Sequence, residues 1–219
     1  MVPRAGSNKT HFRREALVPE LQEYLRQFAA IEREAEILLE GLTTAQLMWR
    51  EKAESWSVAE CFNHLVVTGH QSLHNIRRAI VKARRRGWVG KGPFRHGAIG
   101  NLFIRLMDAP PRIQFKVPEA YRPAPDLPVS EIKDRFFLLQ HELKLVLEDA
   151  NGVDLARVKV SNPVSNWFKL SLGQELALTA AHERRHLWQA SRVRERMVSS
   201  DVGAAHVNGR DDRNERVSR

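Results

Sequence analysis

Residues 180–190 read AAHERRHLWQA and hold His182, Glu183 and His186 in the order H-E-x-x-H. Two histidines four apart lie one turn apart on one face of a helix, where both imidazoles can bind a single metal ion. A glutamate beside them can act as general base, the arrangement of zinc metalloproteases. Such a protease also needs a third ligand. In one version a glycine and a further histidine follow, but this chain has Gln189 and Arg192 at those positions. In another, a glutamate on a following helix completes the site. The downstream glutamates here are Glu195, on the same helical stretch, and Glu215, in a polar tail. The sequence also shows no strands to frame a peptide substrate. The motif stands without its context, and the protease reading falls.

The elements that must position these residues are helical. Apolar residues recur at helical spacing in four long segments. The first runs from about Pro19 to Leu39, with Leu21, Tyr24, Leu25, Phe28, Ile31, Ala35 and Leu38 on one stripe. The second opens on the capping box SVAE (Ser57 to Glu60) and continues through Phe62, Leu65, Gly69, Leu73, Ile76 and Ile80. The third begins near Ser130 and ends at Asn151-Gly152, a helix-stopping pair. A second capping box, SLGQ (Ser171 to Gln174), starts the fourth, which reaches about Met197. The pattern predicts an all-α, antiparallel four-helix bundle. Between the second and third helices, AIGNLFIRLMDAPP reads as a short accessory helix stopped by Pro110-Pro111, and FKVPEAYRPAPDLP as an extended crossover. Residues 1–15 read as a flexible leader, 16–198 as the bundle domain and 199–219 as a disordered polar tail.

Composition narrows the setting. The chain has 219 residues, enough for one sizeable core, and a formal net charge of +9. Between Cys61 and Met107 there is no Asp or Glu but there are nine Lys and Arg residues, so this one stretch accounts for the whole excess. The single cysteine, Cys61, excludes an internal disulfide and suits a reducing compartment. No secretory signal and no membrane-length apolar run is visible, so the expected location is cytoplasmic.

On the fourth helix, Leu172, Leu176, Thr179, Ala190, Val193 and Met197 form the apolar stripe, and both histidines interrupt its middle. A third imidazole, His64, lies on the second helix, one turn from Cys61. If the second and fourth helices are neighbours, the three rings can meet inside the bundle. Buried imidazoles need hydrogen-bond partners or a metal. From the residues alone, a three-histidine site with open positions and a set of satisfied core histidines both remain in view. On ligand type, such a site suits Zn, Ni or Fe(II).

WSVAECFNHL (Trp56 to Leu65) and HERRHLWQA (His182 to Ala190), together with FKVPEAYRP in the crossover, resemble the DinB-like (DinB/YfiT) superfamily of metal-binding four-helix bundles over roughly residues 16–198. The resemblance implies that His64, His182 and His186 ligate one divalent metal. It also implies a small-molecule substrate, thiol-dependent transferase or isomerase chemistry with a low-molecular-weight thiol, and a homodimer. Water or a thiolate at the open metal positions makes the expected reaction a thiol transfer or a hydrolysis. The H-x-x-x-H-x-E pattern of sulfoxide-synthase relatives fails here, where Trp188 takes the glutamate position.

Four further features have two readings each. Glu183 could orient a ligand or act as general base, or pair with an arginine. Cys61 could supply a thiolate, though a small core residue is the simpler reading. His70 and His74 are also spaced i, i+4, but lie well round the helix and read as surface residues. The basic block Arg77–Arg95, with Trp88 and Phe94 interleaved, could attract nucleic acid, phosphates or an anionic membrane, or be a solvated helix end. A non-enzymatic stress-associated or nucleic-acid-binding protein using this block is the alternative function.

Overall fold

The computed structural model describes residues 16–111, 128–161 and 169–214. Its helices are α1 (Pro19–Leu39), α2 (Thr44–Met48), α3 (Val58–Arg85), α4 (Ala98–Met107), α5 (Val129–Ala150) and α6 (Leu172–Asn214). The long helices are α1, α3, α5 and α6, and each begins where local chemistry allows. Pro19 opens α1. Ser57 and Glu60 exchange reciprocal bonds at the start of α3, and Ser171 and Gln174 do the same before α6. The α5 helix stops at Asn151, where Gly152 takes a positive φ of 81°.

The apolar stripes close into one core around Phe28, Phe62, Phe136, Leu143 and Leu176. Contacts along the helices set their directions. Phe62 meets Phe136, and Arg84 reaches the Asp149 carbonyl, so α3 and α5 run parallel. Gln27 pairs with Arg184, and the Leu38 carbonyl with Arg194, so α1 and α6 are parallel too. The pairs α1·α5 and α3·α6 are antiparallel, shown by Val18–Asn151 with Glu32–Lys144 and by His64–His182 with Ser72–Glu175. The antiparallel order expected from the sequence thus holds for two of the four packed pairs. The long connection after α3 carries the chain back to the end where α3 began, which makes α5 parallel to it.

The expected accessory helix is α4, which lies against α6. Gly100 makes this close approach: a Cβ there would sit 2.4 Å from Gln174 Nε2. That same side chain donates to the Gly97 carbonyl at 2.7 Å and to Asn101 at 2.9 Å. The expected extended crossover, except its last residue Pro128, falls within 112–127 and the leader within 1–15, outside the described residues.

Three local features differ from the sequence reading. The five-residue α2 and a two-residue strand pair, Lys159–Val160 with Leu170–Ser171, are too short to show a period. The α6 helix does not stop near Met197: its backbone stays helical through Asn214, inside the stretch read as a disordered tail. Extending an established helix costs little per residue, and no proline interrupts 199–214.

Gly69 marks the tightest contact between α3 and α5. A Cβ on it would lie 2.3 Å from Leu139 Cδ2, and Leu139 is wholly buried. Gly69→Ala gains about 1 kcal/mol of helix propensity but must displace a packed side chain. We expect a net loss of about 1–2 kcal/mol, seen as a lower urea midpoint. A raised midpoint would show that the core at Leu139 yields freely.

Candidate metal centre

The antiparallel contact between α3 and α6 builds the site. His64 comes from the second turn of α3, where the Ser57–Glu60 cap fixes the helix start. His182 and His186 come from consecutive turns of α6. The structure brings all three expected residues together: one ring nitrogen from each lies within 4.8 Å of the others. His64 Nε2 and His182 Nε2 are 3.2 Å apart. Ring centroids are separated by 5.1 Å for His64–His182, 4.5 Å for His64–His186 and 4.7 Å for His182–His186. His64 and His186 are buried and His182 is half-buried.

The donor set fits a divalent ion of the borderline type. Two facing Nε2 atoms can share at most one proton if neutral, or both can turn lone pairs to a common cation. Burial pushes the His182 pKa down to about 3, helped by His64 and Arg185. Burial likewise holds His186 well below its usual value, with His182, His64 and Arg185 adding to the effect and Gln189 opposing it. The metal-free rings of His182 and His186 are therefore neutral at neutral pH, the form that coordinates.

Trp56, just before the α3 cap, lies over this group. Its ring stacks on His186 at 5.6 Å with an interplanar angle of 19°, and it also meets His64 at 5.1 Å. His186 Nδ1 is buried and takes no hydrogen bond. Metal-ligating histidines are usually oriented through a hydrogen bond on the second nitrogen. At His186 that nitrogen has no partner, and the Trp56 indole is stacked on the ring.

Glu183 lies on the same turn, but its carboxyl is not among the three clustered donors. It is buried, and Gln140 Nε2 of α5 donates to its Oε1 at 2.9 Å. The arginine pairing weighed from the sequence is therefore not made by Glu183. Arg184 instead forms a two-pronged contact with Asp108, at 2.8 and 2.7 Å, fastening the end of α4 to α6. Burial raises the Glu183 pKa to about 8, with Gln140 and Arg184 opposing the shift. A protonated carboxyl also has the O–H donor that suits Gln140 Oε1, which is otherwise buried without a partner. Gln140 was missed in the sequence, although an amide one turn after Phe136, inside an apolar stripe, was the available signal.

The remaining candidates sit apart. Cys61 is fully buried in the core, and burial raises its thiol pKa. His70 and His74 are exposed, and His70 lies 3.7 Å from Glu142. In the basic block, Trp88 is covered by the guanidinium groups of Arg86 and Arg157 at 5.2 and 5.0 Å, and Phe94 packs against the core. Neither aromatic is presented for base stacking. A cleft of about 780 Å³ opens elsewhere, among α1, α2 and the start of α5, and none of the three histidines lines it.

The sequence profile of the DinB superfamily matches residues 27–190, which include all three histidines, Trp56 and both capping boxes. The chain belongs to the DinB superfamily. No curated protein and no solved structure matches it. No helix among the described residues is long and apolar enough to cross a membrane.

Two measurements test the burial argument. Glu183 binds its proton more tightly folded, at about 8, than in an unfolded chain, near 4.5. Its stabilising contribution is complete below pH 4.5 and is lost as pH rises through 8. In metal-free protein, Glu183→Gln should match the wild type at low pH and exceed its stability by a few kcal/mol at pH 8, each unit of the window being worth about 1.4 kcal/mol. Parallel pH profiles for the two proteins would refute a buried neutral acid. Cys61, for its part, should stay unmodified by a thiol reagent at pH 8 until denaturant is added. Rapid native labelling would place the thiol at an open site instead.

Proposed function

We propose that this DinB-superfamily protein binds one divalent metal ion through His64, His182 and His186 and uses it in catalysis on a small molecule. The observation that carries the reading is the convergence of three imidazoles from two helices within a single coordination radius. Three neutral ligands leave coordination positions open, as catalytic sites do and closed structural sites do not. Zn, Ni and Fe(II) all suit the donor set. When bound, such an ion supplies Lewis acidity, which lowers the pKa of a water or low-molecular-weight thiol and makes a nucleophile at neutral pH.

The chain's own residues prepare the site. The capped start of α3 holds His64 in place, and Trp56 restricts rotation of the His186 ring. Thiol transfer and hydrolysis are the two reaction types this arrangement serves. Glu183, neutral and held by Gln140, acts by fixing the turn of α6 that carries both its histidines, and a general-base role would require it first to lose its proton. The non-enzymatic nucleic-acid reading loses support, because the aromatics it needs are engaged in the fold.

Metal analysis of reconstituted protein is the direct test. The wild type should hold about one ion per chain, and His64→Ala should lose it. Full occupancy in His64→Ala would overturn the assignment across α3 and α6, and an empty wild type would overturn the function. Trp56→Ala should weaken metal binding about tenfold in a chelator competition, the scale of a lost aromatic contact, while Trp56→Phe should restore most of it. Equal affinities in all three would mean that the indole does not position His186.

A further inference from the structure

The strongly basic stretch that follows α3 has no part in the metal centre, yet the fold presents it in a particular way. Lys82, Arg84, Arg85, Arg86, Lys91 and Arg95 are all exposed. Between and beside them stand aliphatic side chains that the core does not use: Val81, 49% exposed, Val89, 74%, Ile99, 76%, and Leu102, 58%. The backbone carrying them is firmly attached. Trp88 N–H donates to the Ala83 carbonyl and Gly90 N–H to the Gly152 carbonyl, both at 3.0 Å. His96 joins Ser171 Oγ at 2.7 Å and Glu20 at 2.8 Å. These ties hold residues 83–97 across the end of the bundle where α3 and α5 finish and α1 and α6 begin. They also place the start of α4, with Ile99 and Leu102, at the rim of that end. Of the ten residues of α4 only Gly100 is buried, although seven of the ten are bulky or small apolar residues.

We propose that this end of the bundle docks on an anionic lipid surface, with the cations meeting headgroup phosphates and carboxylates and with Val89, Ile99 and Leu102 entering the headgroup–acyl boundary. Cations interleaved with exposed aliphatics are the composition that such an interface takes up. Nucleic acid fits less well, because its binders combine cations with aromatics free to stack, and Trp88 and Phe94 are occupied. A second copy of the chain fits less well too. A two-fold contact through this face would set the cationic stretch against itself. The proposal does not depend on the metal reading, since none of these residues touches the three histidines.

The test is co-sedimentation of the full chain with phosphatidylcholine vesicles, with and without phosphatidylserine, at low and high salt. The protein should bind the mixed vesicles, ignore the neutral ones, and dissociate as salt rises. Lys91→Ser and Arg95→Ser should each weaken binding about fivefold. Ile99→Ser with Leu102→Ser should weaken it at unchanged charge, while circular dichroism and metal content stay as in the wild type. If that pair fails to fold, Val89→Ser, which also leaves the charge unchanged, makes the same decision from the loop alone. The proposal is overturned by absence of binding to mixed vesicles at low salt, or by equal binding to neutral ones. It is equally overturned if a DNA duplex binds and mixed vesicles do not, or if light scattering shows a dimer that the Ile99/Leu102 pair dissolves.

Discussion

Three imidazole rings packed between α3 and α6 set the terms for the centre of this protein. A buried imidazole with an unsatisfied nitrogen is costly, so a core that holds three must have a compensating use for their lone pairs. Burial keeps His182 and His186 neutral, and one ring nitrogen from each of the three lies within 4.8 Å of the others. The surroundings then serve to keep the rings together. The Ser57–Glu60 cap fixes where α3 begins, Trp56 stacks on His186, and Gln140 anchors the α6 turn through Glu183.

Other polar side chains in the interior are accounted for by bonds among themselves. Below the histidine level, towards the α6 start, Ser171, Gln174, His96 and Glu20 are satisfied among themselves and lock α4 and its preceding loop to the bundle. Above it, the core is apolar around Phe28, Phe62 and Phe136. Among the described residues, Ser171, Gln174 and Thr179 each have a bond that accounts for their burial. The histidine level, where His186 Nδ1 and Glu183 Oε2 lack partners, is the place where the core is under-satisfied, and under-satisfaction of this kind marks functional sites.

The three histidines were legible for different reasons. His182 and His186 announced themselves by interrupting an apolar stripe at i, i+4. His64 entered as an imidazole near an apolar arc on another helix, and the family motif singled it out. Glu183 was legible as a residue of interest but not in its role, because nothing local to HERRH indicates that an amide from α5 will take its carboxyl. Likewise, the aromatics of the basic block looked free for stacking. Only the approach of Arg157, far along the chain, shows Trp88 to be covered.

Sequence alone determined the elements: four long helices, the capped starts of α3 and α6, the glycine stop after α5 and the accessory helix before Pro110. These depend on interactions within a few residues, which a linear pattern records directly. Tertiary structure decided what depends on which helices become neighbours. It made α3 and α5 parallel, set α6 antiparallel to α3 so that residue 64 meets 182 and 186, and gave Glu183 to Gln140 rather than to an arginine. Such pairings join residues more than forty positions apart, and their partners are chosen by packing of whole helices, which no local spacing encodes.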